Sequence, residues 1–502
     1  MMKFWRGGDP FIWLTGGALI FCLAMISGLV GVILYQGAST FWPQDLTLLN
    51  LENGKRVLGK IIDRQQIPGE DEKYRLQLKV GNRDTYGLDF RWVDEDRIAS
   101  VEDPLPAVVF ERVEWGDMYG FMGGIYKGDE LIETESGTWH KLEKLLEQAA
   151  DLHEQIHAVE HDDIGALNRK IEDLRLERRR LEREGVEVEV LADNENRSRE
   201  LWNQYESFSD RLDRLRTEQG QIELVVILAG GQECRLRVAD IVRVYRPNLM
   251  TTKEKMVAYA SKGWEFLAGE PRESNTEGGI FPALFGTVMM VVLMSLAAVP
   301  FGILAALYLR EYAGQGFWVK VVRVAVNNLA GVPSIVFGMF GLGFFVYGVG
   351  GSIDQLFYAD ALPTPTYGTG GILWASLTLA LLTVPVVIVS TEEALAAVSR
   401  EIREGALALG STQFQMIWNV VLPSALPGIL TGVILATARG AGEVAPLMIT
   451  GVVKLAPDLP IDAFAPFFHL ERKFMHLGFH IYDVGFQSPN VEAARPMVYT
   501  TA

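Results

Sequence analysis

Cysteine is nearly absent: Cys22 and Cys234 are the two in 502 residues, which excludes a disulfide-stapled fold. A surplus of base is also missing, with 46 Lys+Arg against 63 Asp+Glu and a formal net charge of −17. That balance argues against a nucleic-acid partner, because phosphate backbones recruit Lys and Arg. Charge of either sign is scarce outside one segment. Residues 41–280 hold 49 acids and 34 bases, leaving 26 charged side chains for the other 262 residues. A hydrophobic content of 49% rules out disorder. The pattern is that of a membrane protein carrying one large, acidic, water-soluble insert.

A helix needs roughly 20 apolar residues to cross a bilayer core of about 30 Å. Phe11–Tyr35 meets this and is too long for a signal-peptide core. Four further runs lie at about 281–309, 324–350, 371–391 and 425–451. Basic residues Arg310, Lys320 and Arg323, then Arg400 and Arg403, predict inside loops, whereas 351–370 contains Asp354 and Asp360 without Lys or Arg. The N-terminus is then cytoplasmic and the insert external, the periplasm in a bacterium. Five spans leave the C-terminus outside, and Met497–Ala502 reads as if a sixth helix were about to begin, so either the topology is odd or the sequence is truncated.

In the insert, 55–62, 74–80, 85–93 and 105–113 read as strands, as do 222–228 and 234–245. Between them, Leu142, Leu145, Ala149, Leu152, Ile156 and Val159 step by three and four. After one shift the pattern resumes at Ile164, Leu167, Ile171, Leu174 and Leu181, and Leu201, Tyr205, Phe208, Leu212, Leu215 and Ile222 repeat it. This predicts an antiparallel coiled-coil hairpin over 139–220, projecting from a β-rich unit of 50–138 and 221–247. His153, His157 and His161 recur at helical spacing, which suits Zn²⁺ on adjacent turns, but a solvated helix flank explains them more simply. His469, His476 and His480 make a weaker pattern, and no metal is assigned.

The most informative stretch is Glu404-Gly405-Ala406-Leu407-Ala408-Leu409-Gly410, nine residues, then Val420-Val421-Leu422-Pro423. It predicts a short helix, a glycine break, a second amphipathic piece and a proline before the next span. This resembles the EAA coupling motif of ABC importer permeases, with Gly405 in place of the first Ala and Val420 in place of Ile. The flanking segments Gly278–Thr287, Leu309-Arg310-Glu311-Tyr312-Ala313, Leu329–Ile335 and Ala438–Glu443 are similar to phosphate importer permeases of the PstA type. The resemblance covers roughly 279–502 and the first helix, and does not explain the insert. It implies a membrane all-α type I importer fold (MetI-like), with five spans present and the sixth absent, plus an α+β insert. The expected domains are a membrane helix at 1–38, the periplasmic insert at 39–250, a linker at 251–278, a permease core at 279–451 and a periplasmic segment at 452–502. Within the core, 392–424 is the cytoplasmic coupling loop.

The resemblance also implies a second homologous permease, an ATP-binding subunit dimer and a periplasmic phosphate-binding protein. Glu404, Gly405, Ala406, Gly410, Leu422 and Pro423 would contact the ATPase. No G-x-x-x-x-G-K-[ST] occurs here, so ATP and Mg²⁺ belong to that partner and this chain has no catalytic site or cofactor of its own. Arg439 and Glu443 fall inside the fifth apolar run, where a charge costs about 2.5–3.5 kcal/mol and normally serves a pathway. Arg439 suits a phosphate because its planar donors bind two oxygens at once; a structural ion pair with Glu443 is the other reading. Pro333-Ser334 either breaks the third span and offers a hydroxyl to the path or merely kinks it. The expected path residues are Arg439, Glu443 and Ser334. Other oxyanions (sulfate, molybdate, phosphonate) remain open, as does a non-transport scaffold presenting the coiled coil.

Overall fold

The computed structural model describes residues 9–69, 72–133, 138–186, 188–314, 316–488 and 491–502. They form two compact units, one running to Gly279 and including Glu492–Thr500, the other Ile280–Val491. Five helices are long and apolar enough to cross a membrane: Phe11–Ser39, Phe281–Tyr312, Ser334–Phe357, Ile372–Ala397 and Gln413–Gly442. They are called the first to fifth spans below, and they make this a multi-pass membrane protein.

The first unit begins with the first span, whose apolar surface is wholly exposed. The 491–501 helix packs at its far end, where Thr500 Oγ1 lies 3.2 Å from Thr40 Oγ1. Next come two antiparallel sheets. β1 (Thr47–Leu51), β2 (Arg56–Gln66), β3 (Tyr74–Lys79), β4 (Phe90–Asp94) and β5 (Ile98–Glu102) pair in the order β4-β3-β2-β1-β5. β6 (Val108–Arg112), β7 (Met118–Lys127), β8 (Glu130–Glu133), β9 (Ile222–Ile227), β10 (Glu233–Arg237) and β11 (Ile241–Tyr245) form the second, in the order β10-β9-β7-β6-β11 with β8 on β7. Leu142 and Leu145 of the following helix close the core of this sheet over Val108, Phe110, Leu224 and Val226.

Two strand expectations need correction. The 85–93 segment starts as a helical turn, Arg83–Tyr86, and only Phe90–Asp94 is strand. The turn exists because Asp84 receives both terminal nitrogens of buried Arg112, at 3.0 and 3.1 Å, while Asn82 clamps the Tyr119 backbone from both sides. The 234–245 run is two strands, separated by Val238–Asp240 with Arg237 bonded to Asp240 at 2.8 Å. β10 and β11 are consecutive yet lie on opposite edges of the sheet. Four residue steps reach about 15 Å, less than the roughly 19 Å across five flat strands, so the sheet must curl.

The helices Thr138–His157, Gly165–Glu184 and Val188–Gln219 build an antiparallel hairpin. Glu160 meets Arg216 at 2.6 Å near its base, and Glu177 meets Arg197 at 3.5 Å near its tip. A π-helical stretch, Ala158–Ile164, is the physical origin of the shift in the apolar pattern. It takes up the frame shift, so Ile156, Val159 and Ile164 pack with Phe208, Leu212 and Leu215 across the helical hairpin.

In the second unit, the fourth and fifth spans approach through small residues. Gly428 and Gly432 face Ala394 and Ser390, and a side chain on either glycine would strike them. The expected 324–350 span divides differently. Phe317–Leu329 and Ser334–Phe357 are separate helices, broken at Ala330–Pro333. Pro333 supplies no N–H and holds an extended ψ of 134°, so the second helix starts afresh at Ser334. The expected 425–451 span is broken too: the helix stops at Gly442, and a short Ala445–Thr450 helix follows.

A buried charge cluster ties β2, β3 and β7 together. Asp117 accepts from Lys60 at 3.2 Å and from Tyr119 Oη at 3.0 Å, and Lys79 lies 3.5 Å away. Burial opposes the Asp117 charge, but Lys60 and Lys79 outweigh it and hold the carboxyl well below the usual range. Glu277 behaves oppositely: burial, then the Asp117 charge, pushes it up to about 7 from 4.5. A pKa raised on folding makes the unfolded chain bind fewer protons between those values, so stability falls as pH rises through that window. Glu277→Gln should therefore raise the thermal midpoint of the purified chain at pH 8 and leave it unchanged at pH 5.

Candidate functional site

The coupling motif folds as a short helix, Arg400–Ala408, a glycine turn, and the start of the fifth span at Gln413. The turn is closed by two backbone bonds, Ser411 N–H to Ala406 O (3.2 Å) and Gly410 N–H to Leu407 O (3.0 Å). This is a Schellman closure, and it requires the φ of +87° that Gly410 supplies. Thr412 and Gln415 then form a reciprocal capping box that restarts the helix. Pro423 does not precede the span; it lies ten residues inside it, just after the π-helical stretch Ile417–Val421.

One guanidinium fixes this knob in place. Arg403 donates to Val398 O at 2.5 Å and Leu395 O at 2.7 Å, satisfying carbonyls at the end of the fourth span. The same group meets Glu311 at 2.9 Å, at the end of the second span, with both side chains largely buried. Gln413 adds a bond to Glu311 O at 3.0 Å. A second link, Arg323 to Glu392 at 3.1 Å and to Leu309 O at 3.1 Å, ties the Phe317–Leu329 helix to the same two spans.

Underneath, Ala406 packs into a core with Leu307, Leu395, Met416 and Ile417. Outward, Glu404 and Gly405 are exposed, and an apolar surface of Leu407, Leu409, Phe414 and Trp418 projects, with Leu409 90% exposed. Leu422 is half-buried and Pro423 exposed. Of the expected coupling residues, Ala406 and Gly410 are therefore structural, and Glu404 and Gly405 are available to a partner. A side chain at Gly405 would meet nothing within 4 Å, so its departure from Ala is accommodated.

Arg439 occupies the last turn of the fifth span and Glu443 its C-cap, with Nε and Oε1 3.7 Å apart. The two pair at i, i+4, and Glu443, with ψ 128°, is the residue at which the helix ends. Next to Arg439, Gly440 abuts Met294 of the second span and Thr383, near the middle of the 26-residue fourth span. Gly338, one turn beyond Ser334, abuts Pro446, three residues beyond Glu443. The helix end at Gly442 thus lies partway along the fourth span and not level with its termini, and the Arg439 side chain beside it is 46% exposed. Among the described residues no hydrogen bond joins Ser334 to Arg439 or Glu443.

His153, His157 and His161 are exposed; the rings of His157 and His161 stack at 4.1 Å, and the neighbouring Glu160 is taken by Arg216. Among the described residues no group of three or more His, Cys, Asp or Glu is placed to hold a metal ion. His476 instead caps the Leu477–Tyr482 helix, its Nδ1 accepting from Gly478 and Phe479 N–H. Burial pushes His476 and His480 down to about 4.

Residues 298–457 match the family described as binding-protein-dependent transport system inner membrane component. The probable ABC transporter permease protein YqgI of Bacillus subtilis is 30% identical over 237 residues, covering 46% of this chain and 74% of that protein. The chain belongs to the ABC transporter permease family. Relatives named for phosphate transport are closer in sequence over shorter stretches. The phosphate transport system permease protein PstA of Mycobacterium leprae is 40% identical over 172 residues, 34% of this chain and 51% of that protein. PstA 1 of Mycobacterium tuberculosis (strain ATCC 25618 / H37Rv) is 36% identical over 187 residues, 37% of this chain and 54% of that protein. The chain spans about half the length of these two relatives.

Sequence reasoning missed the Glu311–Arg403 and Arg323–Glu392 pairs. Arg403 and Arg323 served only to orient loops, and Glu311 only as part of a resemblance. The available signal was an acid at the end of an otherwise apolar span, Glu311 or the Glu392-Glu393 pair, where an unpaired carboxylate is costly. Glu311→Ala leaves Arg403 buried without its carboxylate, which should destabilise the chain by about 3–5 kcal/mol. Replacing both, as Glu311→Met with Arg403→Met, should recover part of that loss in thermal unfolding in detergent.

Proposed function

We propose that this chain is the permease subunit of an ATP-driven importer that passes inorganic phosphate into the cytoplasm. The observation that carries this is the pair of interrupted helices inside the bundle, one ending beside Arg439 and one starting at Ser334. Interrupted helices within a membrane bundle are the usual way to present backbone ends to an ion at mid-depth. The N-terminus at Ser334 carries partial positive charge, and Arg439 adds a permanent one. Glu443, 3.7 Å from Arg439, orients the guanidinium and competes with the anion, which favours release. The sequence similarity to proteins named for phosphate transport selects phosphate among tetrahedral oxyanions.

In this reading the Arg400–Ala408 knob is cytoplasmic and enters a groove of a separate ATP-binding subunit. That subunit holds ATP and Mg²⁺ and performs the hydrolysis. A second homologous permease completes the path, and a periplasmic phosphate-binding protein delivers substrate on the side of the acidic insert. Movement of the knob carries the second, fourth and fifth spans together, because Arg403 and the core beneath Ala406 bind all three.

Arg439→Ala should lower phosphate uptake by reconstituted complex about ten- to hundred-fold, the effect of losing a charged hydrogen bond of roughly 1.5–3 kcal/mol. Assembly and ATP binding should persist. Normal uptake by this variant would refute the path assignment. Gly410→Pro, which removes the N–H bonded to Leu407 and forbids the positive φ, should leave ATP binding intact and abolish phosphate-stimulated hydrolysis.

A further inference from the structure

The helix Thr252–Ala268 is fastened to the first unit along one face only. Lys255 meets Asp45 at 2.6 Å, Lys262 pairs with Glu111 and bonds Tyr245 Oη at 3.2 Å, and Glu265 bridges Arg243 (2.6 Å) and Arg272 (2.8 Å). Its aromatic residues grip the chain just beyond the first span. Tyr259 contacts Phe41 and Trp42, each at 6.3 Å between ring centroids, and Phe266 contacts Phe41 at 5.3 Å. The opposite face exposes Met256, Val257, Ala260, Trp264 and Leu267, spaced by three and four residues, with Trp264 72% exposed.

The position of this stripe follows from the span to which it is tied. The 29 residues of Phe11–Ser39 extend about 43 Å against a hydrocarbon core of about 30 Å, so the last turn already lies among headgroups. Phe41 and Trp42 follow within two and three residues, at the level where aromatic side chains collect. Any helix stacked on them lies at the membrane surface, continuous with the lipid-facing surface of the span. An amphipathic helix there with Trp, Met and Leu outward has the composition of an interfacial helix.

We propose that Thr252–Ala268 is such an interfacial helix, with Met256, Val257, Trp264 and Leu267 immersed in the leaflet from which the first span emerges. The ion pairs on its inner face anchor the insert to the bilayer surface. This rests on the first span crossing a membrane and is independent of which solute is carried.

The test uses the full chain in its complex, in vesicles of phosphatidylethanolamine and phosphatidylglycerol, with Cys22 and Cys234 replaced by Ser. Trp264→Cys, or Met256→Cys if the first fails to fold, is labelled with an environment-sensitive fluorophore; Glu189→Cys on the hairpin is the aqueous reference. The expected result is blue-shifted emission, with quenching by lipids spin-labelled high on the acyl chain several-fold stronger than at Glu189→Cys, as for burial about 5–10 Å deep. Emission and iodide quenching equal to the Glu189→Cys reference would overturn the proposal. So would a blue shift without lipid quenching, which would place a protein partner on the stripe.

Discussion

The Arg403 guanidinium is the constraint on which the second unit depends. It satisfies two carbonyls at the end of the fourth span and pairs with Glu311 at the end of the second, while belonging to the helix that follows. Without it, the Arg400–Ala408 knob would be held by apolar contacts beneath Ala406 and by the single neutral bond from Gln413 to Glu311 O. A directional, charged tether at 2.9 Å supplies its orientation. The Schellman closure at Gly410 and the capping box at Thr412 make the turn stiff, so displacement of the knob is passed to the spans and not absorbed locally.

A second feature completes the picture. The fifth span ends at Gly442 and a new helix begins at Ser334, in a bundle whose fourth span runs unbroken for 26 residues. An unbroken span thus packs beside interrupted ones, the arrangement in which helix ends within a membrane bundle present backbone groups to an ion. The close glycine contacts of Gly428, Gly432 and Gly440 keep the fifth span against its neighbours.

Much of this was legible in the residues. Long apolar runs, the fixed spacing from Glu404 to Pro423 and the mid-bundle charge pair each express a local rule. What escaped was tertiary. Arg83–Tyr86 is helical because Asp84 must reach Arg112, 28 positions away. The 234–245 run splits because the sheet curls and needs its two halves on opposite edges. The shift in the hairpin's apolar pattern was visible, but spacing alone does not reveal that a π-helical stretch absorbs it. The buried pairs of Arg403 and Arg323 escaped for a related reason: a basic residue near a span end has the same appearance whether it faces water or a carboxylate. The −17 balance belongs almost wholly to the insert, where the cluster around Asp117 and Lys60 turns part of it into structure.

The most direct test of the account is the number of phosphate ions imported per ATP hydrolysed when the Glu311–Arg403 tether is reversed. With Glu311→Arg or Arg403→Glu alone in the reconstituted complex, hydrolysis should continue while import per ATP collapses. The double exchange, which restores opposite charges at the same two positions, should recover much of the ratio. An unchanged ratio in both single variants would contradict the claim that this ion pair transmits the motion.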